Sequence, residues 1–131
     1  MSRLFHLRRT TIESFKTTWQ KSKFFRFCLI SSLIVWVAIL VLQFLRLVPN
    51  AEGGQYIPLH YNVFFGVDKF GPWFIVFQFP LLGFISIILN NFLAIRFFEK
   101  EKALAMFLTV IGLIIQFMLL AAVYFVILLN L

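Results

Sequence analysis

Residues 27–45 carry no charged side chain and are bracketed by Arg26 and Arg46. As a helix this 19-residue run is about 28 Å long, close to the thickness of a hydrocarbon core. A second uncharged run, of 26 residues, separates Lys69 from Arg96, and its 73–95 portion has helical character. Beyond Lys102 no charged side chain follows. The pattern predicts three transmembrane helices, over about 25–48, 73–97 and 103–129. Between them fall a loop over 49–72 and a short link over 98–102, so residues 1–131 read as one membrane domain. The first run is too long, and its basic leader too extended, for a cleaved signal peptide, so a retained helix is expected. The fold class is therefore an all-α integral membrane protein, a bundle of three transmembrane helices.

Composition strengthens this reading. The chain is 62% hydrophobic with 19 phenylalanines, and only 12 basic and 5 acidic side chains are present. Soluble domains are about 45–50% apolar and about 25% charged. No stretch free of membrane character is long enough to build a separate soluble core. Cys28 is the only cysteine, so neither an internal disulfide nor a cysteine metal cluster is available.

Charge adds direction. Residues 1–24 form a basic arm, and the seven cations Arg3, Arg8, Arg9, Lys16, Lys21, Lys23 and Arg26 face Glu13 alone, giving +6 of the chain's +7. An arm of this kind beside an apolar run suits an anionic membrane surface; with no binding fold around it, nucleic acid is not an expected partner. The link supplies Arg96, Lys100 and Lys102, against only Arg46 and Lys69 at the 49–72 loop. The positive-inside rule then puts the N-terminus inside and both the loop and the C-terminus outside, in a bacterial-type cytoplasmic membrane. Thr10 precedes Glu13 at capping-box spacing, and Ile12, Phe15 and Trp19 share a face, so the arm is expected to be a short amphipathic helix lying in the interface; a disordered basic tail is the alternative.

The second and third spans carry matching small or polar stripes. Gly83, Ser86, Asn90 and Ala94 lie on one face of the second; Ala105, Thr109, Gly112 and Gln116 lie on one face of the third. Folded back on each other, the spans place Gly83 opposite Gln116, Ser86 opposite Gly112, Asn90 opposite Thr109 and Ala94 opposite Ala105. Helices in lipid associate through small residues and interhelical hydrogen bonds, so the stripes predict the contact, with Asn90–Thr109 as a hydrogen-bonded pair. Asn91 points to another face, toward the first helix or a partner. Pro80 is expected to bend its helix or free a carbonyl. Ser31, Val35 and Ala38 make a modest small face on the first span, and Trp36 near its middle suggests a protein contact.

The 56–73 segment, YIPLHYNVFFGVDKFGPW, holds polar chemistry that the spans lack. The Pro49 and NAEGG region ends the first helix by turn chemistry, YIPLHY reads as extended, and Pro72 suits the start of a helix. The dense aromatics Tyr56, Tyr61, Phe64, Phe65, Phe70 and Trp73 suit a segment in the outer interface, giving an ordered extracytoplasmic loop. His60 and Asp68 are too few for a stable metal site, and His6 falls on the other side of the membrane. Asn62 and Asp68 are residues that commonly cap turns, and His60 is open to a structural or a contact role. There is no GxSxG, HExxH, CxxC or phosphate loop, so no enzyme, no metal and no cofactor is expected.

The order Pro58, His60, Tyr61, Asn62, Gly66, Asp68, Phe70, Gly71, followed by Pro80, resembles the membrane domain called domain of unknown function 1648, found in proteins similar to the SdpI toxin-immunity protein. The resemblance covers about residues 27–95. Gly66 falls one residue later than in that family, and Phe64 and Phe65 replace small residues. The resemblance implies a non-enzymatic immunity or signalling role, with a protein partner met through these eight loop residues. Two other readings stay open: an accessory subunit of a larger membrane complex, contacting it through Asn91 or Trp36, and a homo-oligomeric transporter of small solutes or ions.

Overall fold

A computed structural model describes residues 2–48 and 56–131, and side chains within 2–10 lie outside the description. The element order is α1 (Ser2–Lys21), α2 (Lys23–Arg46), β1 (Tyr56–Asn62), β2 (Gly66–Pro72), a 3₁₀ turn (Trp73–Phe77), α3 (Gln78–Phe97) and α4 (Lys102–Leu129). Three segments, Lys23–Arg46, Trp73–Phe97 and Lys102–Leu129, are long and apolar enough to cross a membrane. The fold is mostly helical, but it is not all-α: residues expected to form an ordered loop pair as an antiparallel β-hairpin. The reason is local. A pleated segment satisfies its own backbone groups cross-strand, which an irregular loop beside lipid cannot do.

The amphipathic arm is longer than its capping box implied. α1 begins at Ser2, well ahead of Thr10, so Thr10–Glu13 lies inside the helix and does not start it. Ser22 alone separates α1 from α2. Its hydroxyl accepts the Phe25 N–H at 3.1 Å, the capping geometry that serves an unpaired donor in a first helical turn.

The chain divides into two compact units by contact, one made of Met1–Leu33 with Ile85–Ile115, the other of Ile34–Phe84 with Gln116–Leu131. In the first, Phe25, Ala94, Phe98 and Ala105 are buried together, flanked by Trp19, Leu29, Ile95 and Leu108. Phe15 stacks on Trp19 at 5.8 Å and the Arg26 guanidinium lies over the Trp19 ring at 5.9 Å, so Arg26 is a packed cation while Lys16, Lys21 and Lys23 are exposed. The side chains of Arg3, Arg8, Arg9 and Thr10 lie outside the description, and Pro49 and NAEGG lie outside the described residues.

In the second unit the core is Val35, Ile39, Leu47, Val76, Val123, Val126 and Ile127, joined by Ile57 of the hairpin. The lipid-length helices expose phenylalanine and leucine on their other faces, among them Phe27, Phe44, Phe92, Phe107 and Phe117. Such exposure is what a bilayer solvent accepts and water does not.

Candidate functional site

Asn62 pairs with Gly66 across the hairpin, leaving Val63, Phe64 and Phe65 as the turn. Gly66 has φ +75°, a left-handed conformation that closes a three-residue hairpin loop and suits glycine. The Asn62 side-chain oxygen accepts the Phe64 N–H at 2.9 Å, an Asx turn that sets the tip from within. The late glycine and the two phenylalanines therefore build one device: a braced turn with an apolar tip. Val63, Phe64 and Phe65 are 83%, 88% and 84% exposed.

The register breaks twice. Pro58 faces Phe70, His60 faces Lys69 and Tyr61 faces Val67, which leaves Leu59 as an extra residue on β1 and Asp68 as an extra residue on β2. Bulges of this kind re-aim side chains. The outcome is a contact across the strands: His60 Nδ1 donates to Asp68 Oδ1 at 2.7 Å. That hydrogen bond holds the Asp68 carboxyl below its usual range. Asp68 is therefore expected to titrate below about 3.9, the unperturbed aspartate value, and His60→Ala should bring it back up, read from the side-chain carbon shift by NMR. Because the folded value is depressed, the pair's contribution is present above about pH 4 and fades as pH falls further.

The other bulged residue explains a glycine. A Cβ on Gly71 would stand 2.6 Å from Leu59 Cδ1, so the bulge turns Leu59 onto the bare backbone of Gly71. Pro58 contributes its carbonyl, which accepts from Asn130 Nδ2 at 2.9 Å and ties β1 to the end of α4. Tyr61 and Phe70 are exposed, at 53% and 58%. Pro72 is extended (φ −61°, ψ 143°) and caps the 3₁₀ turn from outside rather than occupying a first helical position. Of the eight loop residues, Pro58, Asn62, Gly66 and Gly71 shape the hairpin, His60 and Asp68 pair across it, and Tyr61 and Phe70 face outward.

Below the hairpin, three side chains converge on the backbone around Pro80. Proline has no N–H, so the Val76 carbonyl lacks the donor a regular helix would supply. The chain answers with the 3₁₀ turn, which directs a backbone N–H to Val76, and with Gln43 Nε2, which donates to the same carbonyl at 2.9 Å. Trp36 Nε1 donates to the Pro80 carbonyl at 2.7 Å and Gln116 Nε2 to the Gly83 carbonyl at 2.9 Å. Val76, Pro80 and Gly83 are buried on one face of this segment. Pro80 thus sits in the first turn of α3, and its effect is a 3₁₀-to-α junction rather than a mid-helix bend. Trp36 spends its N–H inside the unit. Gln43 was not singled out by sequence; its signal was a lone amide in an apolar run.

The stripes meet at their ends and shift in the middle. Gly83 meets Gln116 in one unit; Ala94 and Ala105 are buried together in the other. Asn90 and Thr109 are not hydrogen-bonded to each other: Asn90 Nδ2 donates to Ser86 O at 3.0 Å and to Ser86 Oγ at 3.2 Å, and Thr109 Oγ1 donates to Met106 O at 2.8 Å. Asn90 instead lies against Gly112, whose Cβ would be 3.3 Å from Asn90 Cβ. Helical side chains lean toward their own N-terminus, which carries Asn90 back to the level of Ser86, the residue expected opposite Gly112. Asn91 is buried and donates to Ile87 O at 2.8 Å, a carbonyl of its own helix, while its Oδ1 has no partner among the described residues. In the middle of α2 the buried positions are Ser32, Val35 and Ile39, so Val35 of the expected small face is buried while Ser31 and Ala38 lie one residue off the buried positions. No group of three or more metal-ligating side chains occurs among the described residues.

These features define the class: a helical protein with three membrane-length segments and a β-hairpin inserted between the first two. Comparison with protein-family models, with curated proteins and with solved structures gives no match for this chain.

Proposed function

We propose that this is a non-enzymatic, multi-pass protein of a bacterial-type cytoplasmic membrane that recognises a protein partner through the tip of its outer hairpin. The observation that carries the reading is the tip itself, three consecutive apolar residues more than four-fifths exposed on a turn braced by Asn62 and Gly66. Exposed apolar patches on an ordered element mark interaction sites, and a braced turn loses little further entropy on binding. The resemblance to the immunity-protein domain supports the same role, with a membrane-active toxin or a signalling protein as the partner. The accessory-subunit reading is the alternative; Trp36 and Asn91, the contacts it invokes, each donate one hydrogen bond within the chain.

The orientation belongs to the proposal. With the basic arm inside, the hairpin and Leu131 face outward. A periplasmic reporter fused after Leu131 is expected to be active; an inactive, well-expressed fusion reverses the topology. For recognition, a photo-crosslinking residue at Phe64 or Phe65 should give a discrete protein adduct in cells, and one at Phe117 in α4 should not. Deletion should sensitise cells to the toxin that the partner supplies. The wild-type chain should restore protection and Phe64→Ser with Phe65→Ser should not, at equal membrane abundance. Protection by that double variant would remove the tip from the function.

A further inference from the structure

A cleft of about 640 Å³ lies between β1, the start of α3 and the last turns of α4. Its volume is in the range of sites that hold small molecules, about 300–1,000 Å³. The walls are mostly apolar, with Leu59, Phe79, Ala122, Phe125, Val126 and Leu129 prominent, and His60 and Tyr61 are the polar side chains on them. Asn130 ties two of its walls together by bonding both Pro58 O on β1 and Val126 O on α4, at 2.9 Å and 2.7 Å. The cleft is therefore a built feature, held by the same bulge that places Leu59 and His60.

Its position says what occupies it. α4 is long enough to cross a bilayer, and the cleft lies along its final turns, which in a spanning helix of this length fall where hydrocarbon gives way to headgroups. One wall is therefore apolar and belongs to the acyl region. The other wall carries His60, 63% exposed, with Lys69 as its cross-strand neighbour. With His60 Nδ1 donating to Asp68, Nε2 of the doubly protonated ring is the N–H left to donate to a ligand anion. A water-soluble metabolite has no use for seven apolar neighbours, and a wholly apolar molecule has none for His60 and Tyr61 on the wall or for Lys69 across the strands from His60. An amphiphile with one long chain in the cleft and a phosphate at its mouth matches both walls.

We infer that the cleft binds one membrane phospholipid, with an acyl chain against Phe79, Phe125 and Val126 and its phosphate at His60 and Lys69. The inference stands apart from the partner reading, which rests on the tip and not on the cleft wall.

The test uses the full chain in detergent micelles with phosphatidylglycerol as the probe. Native mass spectrometry is expected to find one phosphatidylglycerol retained. Ala122→Phe fills the cleft and should abolish retention. His60→Leu removes one polar contact and should weaken it about fivefold, as loss of about 1 kcal/mol requires. Because Ala122→Phe risks misfolding, a second measurement uses the wild type alone. Phosphatidylglycerol bearing a diazirine at its chain end should label the segment holding Phe125 and Val126, and unlabelled phosphatidylglycerol should compete it away. Labelling spread over the exposed faces of α2, α3 and α4, or labelling that excess lipid does not reduce, overturns the proposal. So does retention unchanged in a folded Ala122→Phe protein. Equal retention of phosphatidylglycerol and an uncharged diacylglycerol overturns the phosphate assignment.

Discussion

Gly83→Leu is expected to destabilise the protein more than any other single change in its membrane segments. A Cβ at position 83 would lie 2.8 Å from Gln116 Oε1, 3.1 Å from Trp36 Cδ1 and 3.3 Å from Leu119 Cδ1. Three side chains must therefore retreat together, and two of them hold hydrogen bonds to this stretch of backbone. Overpacking of a filled interior costs about 1–3 kcal/mol, and the polar contacts displaced add to it. Intramembrane hydrogen bonds average about 0.6 kcal/mol, so sterics dominate the loss. Gly83→Ala should cost less, since only the first atom of the side chain enters. The check is thermal or SDS unfolding of the purified protein: Leu well below wild type, Ala between them. A Leu variant as stable as wild type would mean that the helices do not approach closely at Gly83.

Truncating Gln43 gives the second large effect, and its conservative variant separates two causes. Gln43 is fully buried; its Nε2 donates to Val76 O, and its Oε1 has no partner among the described residues. Gln43→Ala removes a long side chain from the interior and should cost about 2–4 kcal/mol through the cavity left behind. Gln43→Met keeps the volume and loses the hydrogen bond, but it also removes a buried oxygen that nothing satisfies, and the Val76 carbonyl keeps its backbone donor. These terms oppose each other at about 1 kcal/mol apiece, so Met should lie within about 1 kcal/mol of wild type. The same unfolding measurement decides. If Met costs as much as Ala, the amide bond and not the packing holds α2 against the Pro80 junction.

The two substitutions probe one physical situation. In lipid, burying apolar surface drives little association, so helices settle where backbones approach closely or where a carbonyl accepts a donor. Pro80 opens such a place by withholding an N–H, and Gly83 opens another by withholding a side chain. Gln43, Trp36 and Gln116 fill them. The hairpin follows a different rule: its braced turn and crossed bulges order a surface that packing alone would leave loose, and that surface carries both the tip and the cleft wall.

Much of this was legible along the chain because it is written in local terms. A charge is so costly in hydrocarbon that uncharged runs delimit the spans, and 25–48, 73–97 and 103–129 lie within two residues of Lys23–Arg46, Trp73–Phe97 and Lys102–Leu129. Asn62 as a turn cap is equally local, since its acceptor serves an amide two residues on. The partners of Asn90, Asn91 and Thr109 were not legible. An amide or hydroxyl on a helix can turn back to a carbonyl of its own helix, and residue spacing does not distinguish that from a bond across the seam.

The sequence by itself determined the number of membrane-length helices, the place of the turn, the basic arm and the small stripes, because desolvation, backbone conformation and helical period act on neighbours in the chain. Only the tertiary structure decided that 56–72 is a hairpin, that its register slips once on each strand to set His60 on Asp68, and that Gln43 and Trp36 reach the carbonyls around Pro80. Each of these joins residues whose separation along the chain carries no energy of its own. Strand register and helix docking are set by which distant donors, acceptors and volumes fit at once, and one residue's slip would have placed every one of them elsewhere.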